Sequence, residues 1–482
     1  MTRPLFLLSF LFFFCCRNKQ DQSLPYQHLQ YCRVEETNDS VYCGSLTVWE
    51  NRTTKVGRKI NLNVIVIPAL QKDSAGAAIF YLEGGPGVAA SKNASFFADK
   101  EIPYRKYHDI VLIDIRGTGK SNPLNCNSLQ YSAGLQEQFD EMYPVQAVKE
   151  CYDSLSKIAD LTQYTTSIIA EDMDEVRKWL GYKKIHLFGL SYGTKLAQEY
   201  MRRFPDAVES VVLFSPVIMN SKMPLPFARF AQNALDSLFA DCGKDSVCNY
   251  SFPNLSYEFN FLKEKGRRVP FEVDHIMSDG TTKKITISWD AFQTKIRTLL
   301  YLPFTQRTVP YIIHETYNGN WKPFIGLYKE KESFSDFIAE GLYLCITCSE
   351  DIPFIKDEEI TPATANTFMN TYRVDQQKGA CSLWSKGTIP TDYLEPVNST
   401  IPVLILSGTL DPVTPTIWAK EIASKLANSK LVIIPAMAHA FDGLSNESCF
   451  DDIVLAFIAN PSDSLGNTDC VYQMKPPSFK VK

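Results

Sequence analysis

The sequence Gly-Leu-Ser-Tyr-Gly at residues 189–193 lies between an apolar segment and an amphipathic one. The apolar segment, 184–188, predicts a short strand, and 194–203 predicts a helix. A serine on a tight strand-to-helix turn needs glycine two residues to either side, because side chains there would collide with neighbouring backbone. The alternative is a glycine-rich turn with an incidental serine. The flanking strand and helix favour a nucleophile elbow with Ser191 as nucleophile.

Strand-like and helix-like segments alternate on both sides of this turn. Continuous apolar strands separated by helices indicate a mainly parallel sheet covered on both faces, here an α/β-hydrolase fold. Predicted strands lie at 60–67, 77–82, 110–114, 208–214, 402–406 and 430–434, and predicted helices at 170–180, 416–426 and 451–459.

A chain of 482 residues is long enough for one catalytic core with a large insertion. We predict a core from two halves, 24–216 and 399–482, with a mostly helical lid over 217–398. Within the lid, 227–239 and 334–344 have aromatic-rich helical patterns, and 283–288 is strand-like. Inserted between two halves of one sheet, this lid would cover the strand ends where the active site of such a fold lies.

The order of catalytic residues in this fold is serine, acid, histidine along the chain. Of the six histidines, three follow Ser191: His275, His314 and His439. The first two lie in the predicted lid, whereas His439 follows the predicted strand at 430–434. His439 is therefore the predicted general base.

The acid should lie at the end of the strand that precedes this histidine. Asp411 follows the predicted strand 402–406 on a polar turn, so it can orient the imidazole. Asp442 is the competing acid, but no predicted strand precedes it. We predict Ser191, Asp411 and His439 as the catalytic triad of a serine hydrolase that forms an acyl-enzyme and needs no cofactor.

An oxyanion hole requires two backbone N–H groups near the nucleophile. One is predicted at Tyr192, directly after the serine. The other is predicted in the sequence Glu-Gly-Gly-Pro-Gly at 83–87, with Gly85 as the favoured donor. This run could also be only a tight turn, but it directly follows a predicted strand.

Composition excludes several other functions. Charged residues make up 21% of the chain, the net charge is -5, and no dense Lys/Arg stripe occurs, so nucleic acid is not a predicted partner. Cys345 and Cys348 have the spacing of a metal or redox motif. No second cysteine pair or histidine cluster follows at ligand spacing, so no metal site is predicted.

The N-terminus has the features of an export signal. Arg3 precedes an apolar run at 5–14, the length of a signal-peptide hydrophobic region and too short to span a membrane. We predict a signal peptide over 1–16. A polar segment follows Cys15 and Cys16, as in lipoproteins, but small residues do not precede them. Two alternatives therefore stay open: membrane attachment through a lipid on Cys15 or Cys16, and simple cleavage of the signal peptide. The predicted location is the cell envelope or outside the cell. The 13 cysteines indicate an oxidising compartment with disulfides.

These motifs together resemble the proline iminopeptidase and tripeptidyl aminopeptidase family of α/β-hydrolases. The secreted tripeptidyl branch of this family is more similar than the iminopeptidase branch. It shares Cys-Ser-Glu-Asp at 348–351, Cys-Ser-Leu-Trp at 381–384 and a C-terminal cysteine pair. The resemblance spans roughly 31–471, and its main motifs lie at 83–87, 114–121, 164–166, 189–193, 408–415 and His439.

The resemblance implies an exported serine aminopeptidase whose partner is a peptide with a free N-terminus. A carboxylate in the lid would bind the protonated amine. Glu350 and Asp351 are the predicted substrate-binding residues, with Glu340 behind them. The implied disulfides are Cys32–Cys43, Cys126–Cys151, Cys242–Cys248, Cys348–Cys381 and Cys449–Cys470, which leaves Cys345 free.

The chain departs from the iminopeptidase pattern at two places. Glu83 replaces the usual histidine of the oxyanion loop, and Ser215-Pro216 replaces the usual Asp-Gly. Proline specificity is therefore not predicted. Two rival functions stay open: an esterase or amidase acting on small molecules, and a non-catalytic binding protein on the same fold. The sequence makes no prediction of oligomeric state.

Overall fold

The computed structural model describes residues 26–34, 40–71, 76–129, 134–328 and 338–482. The predicted signal segment, including Cys15 and Cys16, lies outside these ranges. Within them, no helix has both the length and the apolar character needed to cross a membrane.

The strands of the described residues are β1 Gln30–Arg33, β2 Ser40–Trp49, β3 Lys59–Ile67, β4 Ala78–Leu82, β5 Ile110–Ile113, β6 Ile185–Leu190, β7 Val208–Phe214, β8 Phe271–Ile276, β9 Thr282–Ile287, β10 Val403–Gly408 and β11 Ser429–Ile434. Nine of them form one sheet, in the order β1-β2-β3-β5-β4-β6-β7-β10-β11. In this order, neighbouring strands from β5 to β11 are parallel, whereas β1, β2, β3 and β5 pair antiparallel. The strands β8 and β9 form a separate hairpin.

Helices cover both faces of the parallel part of the sheet, and every residue of β4, β5 and β10 is buried. Burial on both faces explains why these strands are continuously apolar in the sequence. The helices are α1 Ala94–Ala98, α2 Val145–Leu155, α3 Thr166–Leu180, α4 Tyr192–Arg203, α5 Phe227–Lys244, α6 Ser246–Ser251, α7 Leu255–Gly266, α8 Trp289–Leu299, α9 Pro303–Gln306, α10 Val309–Tyr317, α11 Lys322–Ile325, α12 Glu340–Glu350, α13 Asp357–Thr364, α14 Tyr372–Ser382, α15 Thr416–Ala423 and α16 Ser448–Ala459.

The prediction of an α/β-hydrolase fold is confirmed, and each predicted strand of the parallel sheet lies within two residues of an observed one. The sequence patterns do not indicate β1, β2 or α2. The helix predicted at 334–344 begins later, as α12 from Glu340, and 334–337 lie outside the described residues.

The helices α5–α14 and the β8–β9 hairpin lie between β7 and β10, where the sequence predicts the lid. Much of this segment packs around a second apolar cluster, which includes Phe259, Phe292 and Phe324 and also Phe139 and Phe479 from outside the segment. The helix α12 differs, because Leu342 and Leu344 belong to the cluster of the main core. The domain boundaries stay a prediction, but α12 links the inserted segment to the core.

Disulfides in the described residues join the five pairs that the family resemblance implies. Cys345 is the free cysteine of the described residues and is buried in α12. Trp384 donates a hydrogen bond from Nε1 to its sulfur over 3.4 Å, and burial raises the pKa of this thiol to about 12. Cys345 is therefore a protonated core residue at neutral pH.

Candidate active site

Ser191 lies at the junction of β6 and α4 in a strained backbone conformation, with φ 54° and ψ −118°. Its N–H donates to the carbonyl oxygen of Phe214 on β7 over 3.0 Å. A Cβ atom on Gly189 would lie 2.5 Å from the carbonyl oxygen of Gly193, and one on Gly193 would collide with the carbonyl of Leu82. The turn therefore requires glycine at both positions, as the sequence predicts.

The structure brings the predicted nucleophile, base and acid together from distant parts of the chain. His439 Nε2 lies 3.0 Å from Ser191 Oγ. His439 Nδ1 lies 2.9 Å from Asp411 Oδ2 and 3.1 Å from Oδ1. The competing acid, Asp442, is exposed and makes no hydrogen bond to His439 among the described residues.

Asp411 is 4% exposed and receives several hydrogen bonds. Oδ1 accepts from the backbone nitrogens of Val413 and Thr414 over 2.7 and 2.8 Å, and Oδ2 accepts from Thr414 Oγ1 over 2.7 Å. Burial alone would raise the pKa of Asp411, but His439 and Thr414 outweigh it, so this pKa lies below its ordinary value.

These contacts fix the protonation pattern. An ionised carboxylate only accepts hydrogen bonds, so His439 Nδ1 carries the proton that Asp411 receives. His439 Nε2 is then an acceptor, and Ser191 Oγ donates to it over 3.0 Å. This is the arrangement in which an imidazole can remove the proton of a serine hydroxyl.

Three further residues position this group. Thr414 holds the carboxylate, Ser215 Oγ donates to the backbone carbonyl of His439 over 2.8 Å, and the carbonyl of Tyr301 accepts from the N–H of His439 over 2.9 Å. Thr414 has a local signal, since an aspartate often accepts from the backbone two and three residues later. Ser215 and Tyr301 have no local sequence signal, because their partner, His439, is far from them along the chain.

The predicted oxyanion loop lies against the nucleophile, since a Cβ on Gly84 would lie 3.2 Å from Ser191 Cβ. The N–H of Gly84 donates to Glu83 Oε1 over 2.7 Å, whereas Gly85 is exposed with φ 112°. Tyr192 is the first residue of α4, so its N–H has no acceptor within the helix. Tyr192 directly follows Ser191 and Gly85 follows Gly84 on the loop that contacts it, and the role of Tyr192 and Gly85 as donors stays a prediction.

Glu350 and Asp351 lie elsewhere, in contacts between the inserted segment and the core. Glu350 is 1% exposed and accepts from Thr166 N over 2.6 Å, from Thr166 Oγ1 over 2.8 Å and from the hydroxyl of Tyr393. Asp351 is 3% exposed and accepts from Lys195 Nζ over 3.3 Å.

These contacts hold the end of α12 against α3 and α4. Ser221 Oγ also donates to Asp351 over 2.9 Å, so both carboxylates are already engaged within the protein. Neither Glu350 nor Asp351 has a hydrogen bond to Ser191 or His439 among the described residues. Their contact with a substrate amine stays a prediction, and the contacts in the structure join α12 to the core.

Glu340 is more accessible than these two. It is partly exposed at the start of α12, and the N–H of Ala339 donates to the carbonyl of Gly87 over 2.9 Å, so this helix end lies on the oxyanion loop. Tyr143 donates to Glu340 Oε2 over a long 3.3 Å. The residue is partly exposed, but its carboxyl group is desolvated by its surroundings, which raises the pKa of Glu340 although nearby Arg373 opposes this.

Comparisons with known proteins match both halves of the chain. The family model described as the alpha/beta hydrolase fold matches residues 77–248, which include Gly85 and Ser191. The family model described as TAP-like protein matches residues 366–470, which include Asp411 and His439.

Among curated proteins, serine protease Hip1 of Mycobacterium tuberculosis is 24% identical over 463 residues, covering 89% of this chain and 87% of that protein. Tripeptidyl aminopeptidase of Streptomyces lividans is 30% identical over 193 residues, covering 37% of this chain and 35% of that protein. Among solved structures, proline iminopeptidase of Mycobacterium smegmatis matches at 14% identity with a TM-score of 0.38, over 87% of this chain and 99% of that one.

Proposed function

We propose that this chain, a serine hydrolase of the tripeptidyl aminopeptidase and proline iminopeptidase family of α/β-hydrolases, is an aminopeptidase that cleaves peptides near a free N-terminus. The observation that carries the proposal is the hydrogen-bonded series from Ser191 through His439 to Asp411. The match to a tripeptidyl aminopeptidase supports a peptide rather than another acyl compound as substrate.

In the proposed reaction, His439 Nε2 takes the hydroxyl proton of Ser191 as Oγ attacks the carbonyl carbon of the scissile bond. The backbone N–H groups of Tyr192 and Gly85 stabilise the oxyanion of the tetrahedral intermediate. His439 then gives the proton to the leaving amine. Water, activated by the same imidazole, releases the acyl group from Ser191. Asp411 stays ionised throughout and stabilises the imidazolium.

A free N-terminus would be recognised by a carboxylate at the entrance to this site. Among the three acids that the sequence indicates, we propose Glu340 as the residue that contacts the ammonium group. Glu340 is partly exposed, it follows a residue bonded to the oxyanion loop, and the hydrogen bond that it accepts from Tyr143 is long. Glu350 and Asp351 would then act indirectly, by fixing the position of α12.

The test compares p-nitroanilides of mono-, di- and tripeptides with free and N-acetylated termini. We expect cleavage of the free forms, little cleavage of the acetylated forms, and no activity in Ser191→Ala. Glu340→Gln should raise KM for the free peptide roughly 10- to 100-fold, as for loss of a charge-assisted hydrogen bond. Equal turnover of free and acetylated peptides by the wild type would favour the esterase or amidase alternative.

Asp351→Asn serves as the structural control for Glu340→Gln. Removing this charge leaves Lys195, which is 2% exposed, without its ionised partner, and such a loss costs about 3–5 kcal/mol of folding free energy. We therefore expect Asp351→Asn to lower the unfolding temperature, while Glu340→Gln changes KM with little effect on that temperature. The reverse pattern would reject Glu340 as the amine-binding residue.

Export is also part of the proposal. The five disulfides support an oxidising compartment, because disulfides persist there and are rare in the cytosol. N-terminal sequencing of the mature protein tests this, with cleavage near Cys15 or Cys16 as the expected result. Radiolabelled palmitate incorporation that is lost in Cys15→Ala or Cys16→Ala would distinguish a lipid anchor from simple secretion.

A further inference from the structure

One side of the candidate active site is formed by the segment that follows α8. The Tyr301 ring lies edge-on to the His439 imidazole, with 5.3 Å between ring centres. On α8 itself, the guanidinium carbon of Arg297 lies 5.2 Å from the centre of the same Tyr301 ring. Tyr301 therefore contacts both the imidazole and the guanidinium. The two distances limit the separation of these groups to at most about the length of three residues of extended peptide.

Arg297 is 8% exposed, and two aromatic rings lie against its guanidinium. Its guanidinium carbon lies 4.0 Å from the centre of the Phe227 ring as well as against Tyr301. Rings stack on the faces of a guanidinium and leave the N–H groups at its edge without an acceptor.

Those edge N–H groups are the unusual feature. Arg297 Nε and Nη2 are buried, and neither has a hydrogen-bond acceptor among the residues that the structure describes. Arginine stays charged in proteins, and a buried charged donor without a partner is costly. Arg297 also has no ion pair with any described carboxylate.

The other buried arginines of the described residues all have such partners. Each makes a hydrogen bond to an oxygen or lies within 4 Å of a carboxylate. The pairs are Arg105 with the Pro68 carbonyl, Arg116 with Asp172, Arg307 with Asp241, and Arg373 with Gln377 and Tyr343. Arg297 is thus the exception, and it is also the one stacked on a residue that contacts His439.

We infer that Arg297 binds a carboxylate of the substrate, within a few residues of the scissile bond. A carboxylate matches the two free N–H groups, because guanidinium and carboxylate form paired, charge-assisted hydrogen bonds. The carboxylate could belong to the C-terminus of a short peptide or to an acidic side chain. The inference rests on the proposed function and names the substrate class of that site.

The test uses alanine-rich peptides with a free N-terminus, and cleavage is followed by mass spectrometry. One pair differs only in a C-terminal carboxylate or amide. In each of the other pairs, both peptides have an amidated C-terminus. One peptide has Glu and the other has Gln in place of the same alanine, and a separate pair is made for each position. For at least one pair, we expect the wild type to have a kcat/KM roughly 10- to 100-fold higher for the carboxylate form.

Arg297→Met should reduce that ratio to near one, mainly through KM. Arg307→Met is the matched control, because Arg307 is 9% exposed and stacks 4.1 Å from the Phe479 ring but has Asp241 at 3.8 Å. This variant should keep the wild-type ratio. If Arg297→Met fails to fold, Arg297→Lys should keep the preference in reduced form, because the charge remains without the paired donors.

The inference would be overturned if no pair distinguished carboxylate from neutral peptide in the wild type, or if the preference survived in Arg297→Met. The proposed function fails separately. It fails if N-acetylation of the neutral, amidated peptide does not reduce cleavage, whatever Arg297 does. The pair that shows the preference identifies the C-terminus or a side chain as the source of the carboxylate.

Discussion

The substitution Asp411→Asn tests the proposed catalytic geometry with a change of a single group. Asp411 Oδ1 accepts from two backbone N–H groups, those of Val413 and Thr414. In the variant the amide oxygen must occupy this place, because an NH2 group there would face two donors. The NH2 group then replaces Oδ2, which faces His439 Nδ1 at 2.9 Å.

The consequence is a change of histidine tautomer. The asparagine NH2 donates to His439 Nδ1, so the imidazole proton moves to Nε2 and that nitrogen can no longer accept the proton of Ser191. Thr414 Oγ1 can reverse its role and accept from the NH2 group, so the fold keeps its hydrogen bonds. We expect kcat to fall by about 10⁴, which corresponds to about 5.5 kcal/mol in the activation free energy.

The assay measures kcat for a free tripeptide p-nitroanilide in the wild type, in Asp411→Asn and in Asp442→Asn, together with thermal unfolding. Asp442 is exposed and was the competing acid, so its variant should keep wild-type kcat. A kcat for Asp411→Asn within tenfold of the wild type, with both proteins folded, would refute the proposed tautomer argument. So would a large loss in Asp442→Asn.

Two other predictions concern folding. Gly193→Ala should abolish folded protein, because its Cβ would collide with the Leu82 carbonyl, whereas Gly379→Ala in α14 meets nothing within 4 Å and should raise the free energy of urea unfolding by about 0.5–1 kcal/mol. Folded Gly193→Ala with wild-type circular dichroism would contradict this. The pKa of Asp411 is lower in the folded state, so its ionised carboxylate stabilises the fold. This contribution is complete above the ordinary aspartate pKa and is lost as the pH falls through the folded-state pKa. In urea unfolding at decreasing pH, the free energy of unfolding should therefore fall less steeply in Asp411→Asn than in the wild type. Equal slopes of this free energy against pH would contradict the prediction.

The fold could be predicted from sequence because its signals are local. The parallel strands are buried on both faces and read as short apolar runs, and the elbow at Ser191 is defined by two glycines whose absent side chains leave room for backbone. The strand β1 lies at the edge of the sheet and is mostly exposed, and β2, which lies between β1 and β3, has exposed polar residues among its buried ones. Their apolar pattern is therefore weaker, and the sequence does not indicate them.

The residues around His439 could be predicted only in part. Spacing and order indicate Asp411 and His439, but the contacts of Ser215 and Tyr301 with the histidine backbone depend on how distant segments meet. For Glu350, the sequence indicates a role that its position in the structure does not support. Its position beside a family motif indicates a binding role, yet its 1% exposure depends on how α12 packs onto the core, which no local pattern encodes.

Reaction with a fluorophosphonate probe, located by mass spectrometry, tests the central claim most directly, because the probe phosphonylates a serine only where a neighbouring base activates it. We predict one adduct, on the peptide that contains Ser191, with none in Ser191→Ala and strongly slowed labelling in His439→Gln. An active preparation with Ser191 unmodified, or with the adduct on another residue, would contradict the account.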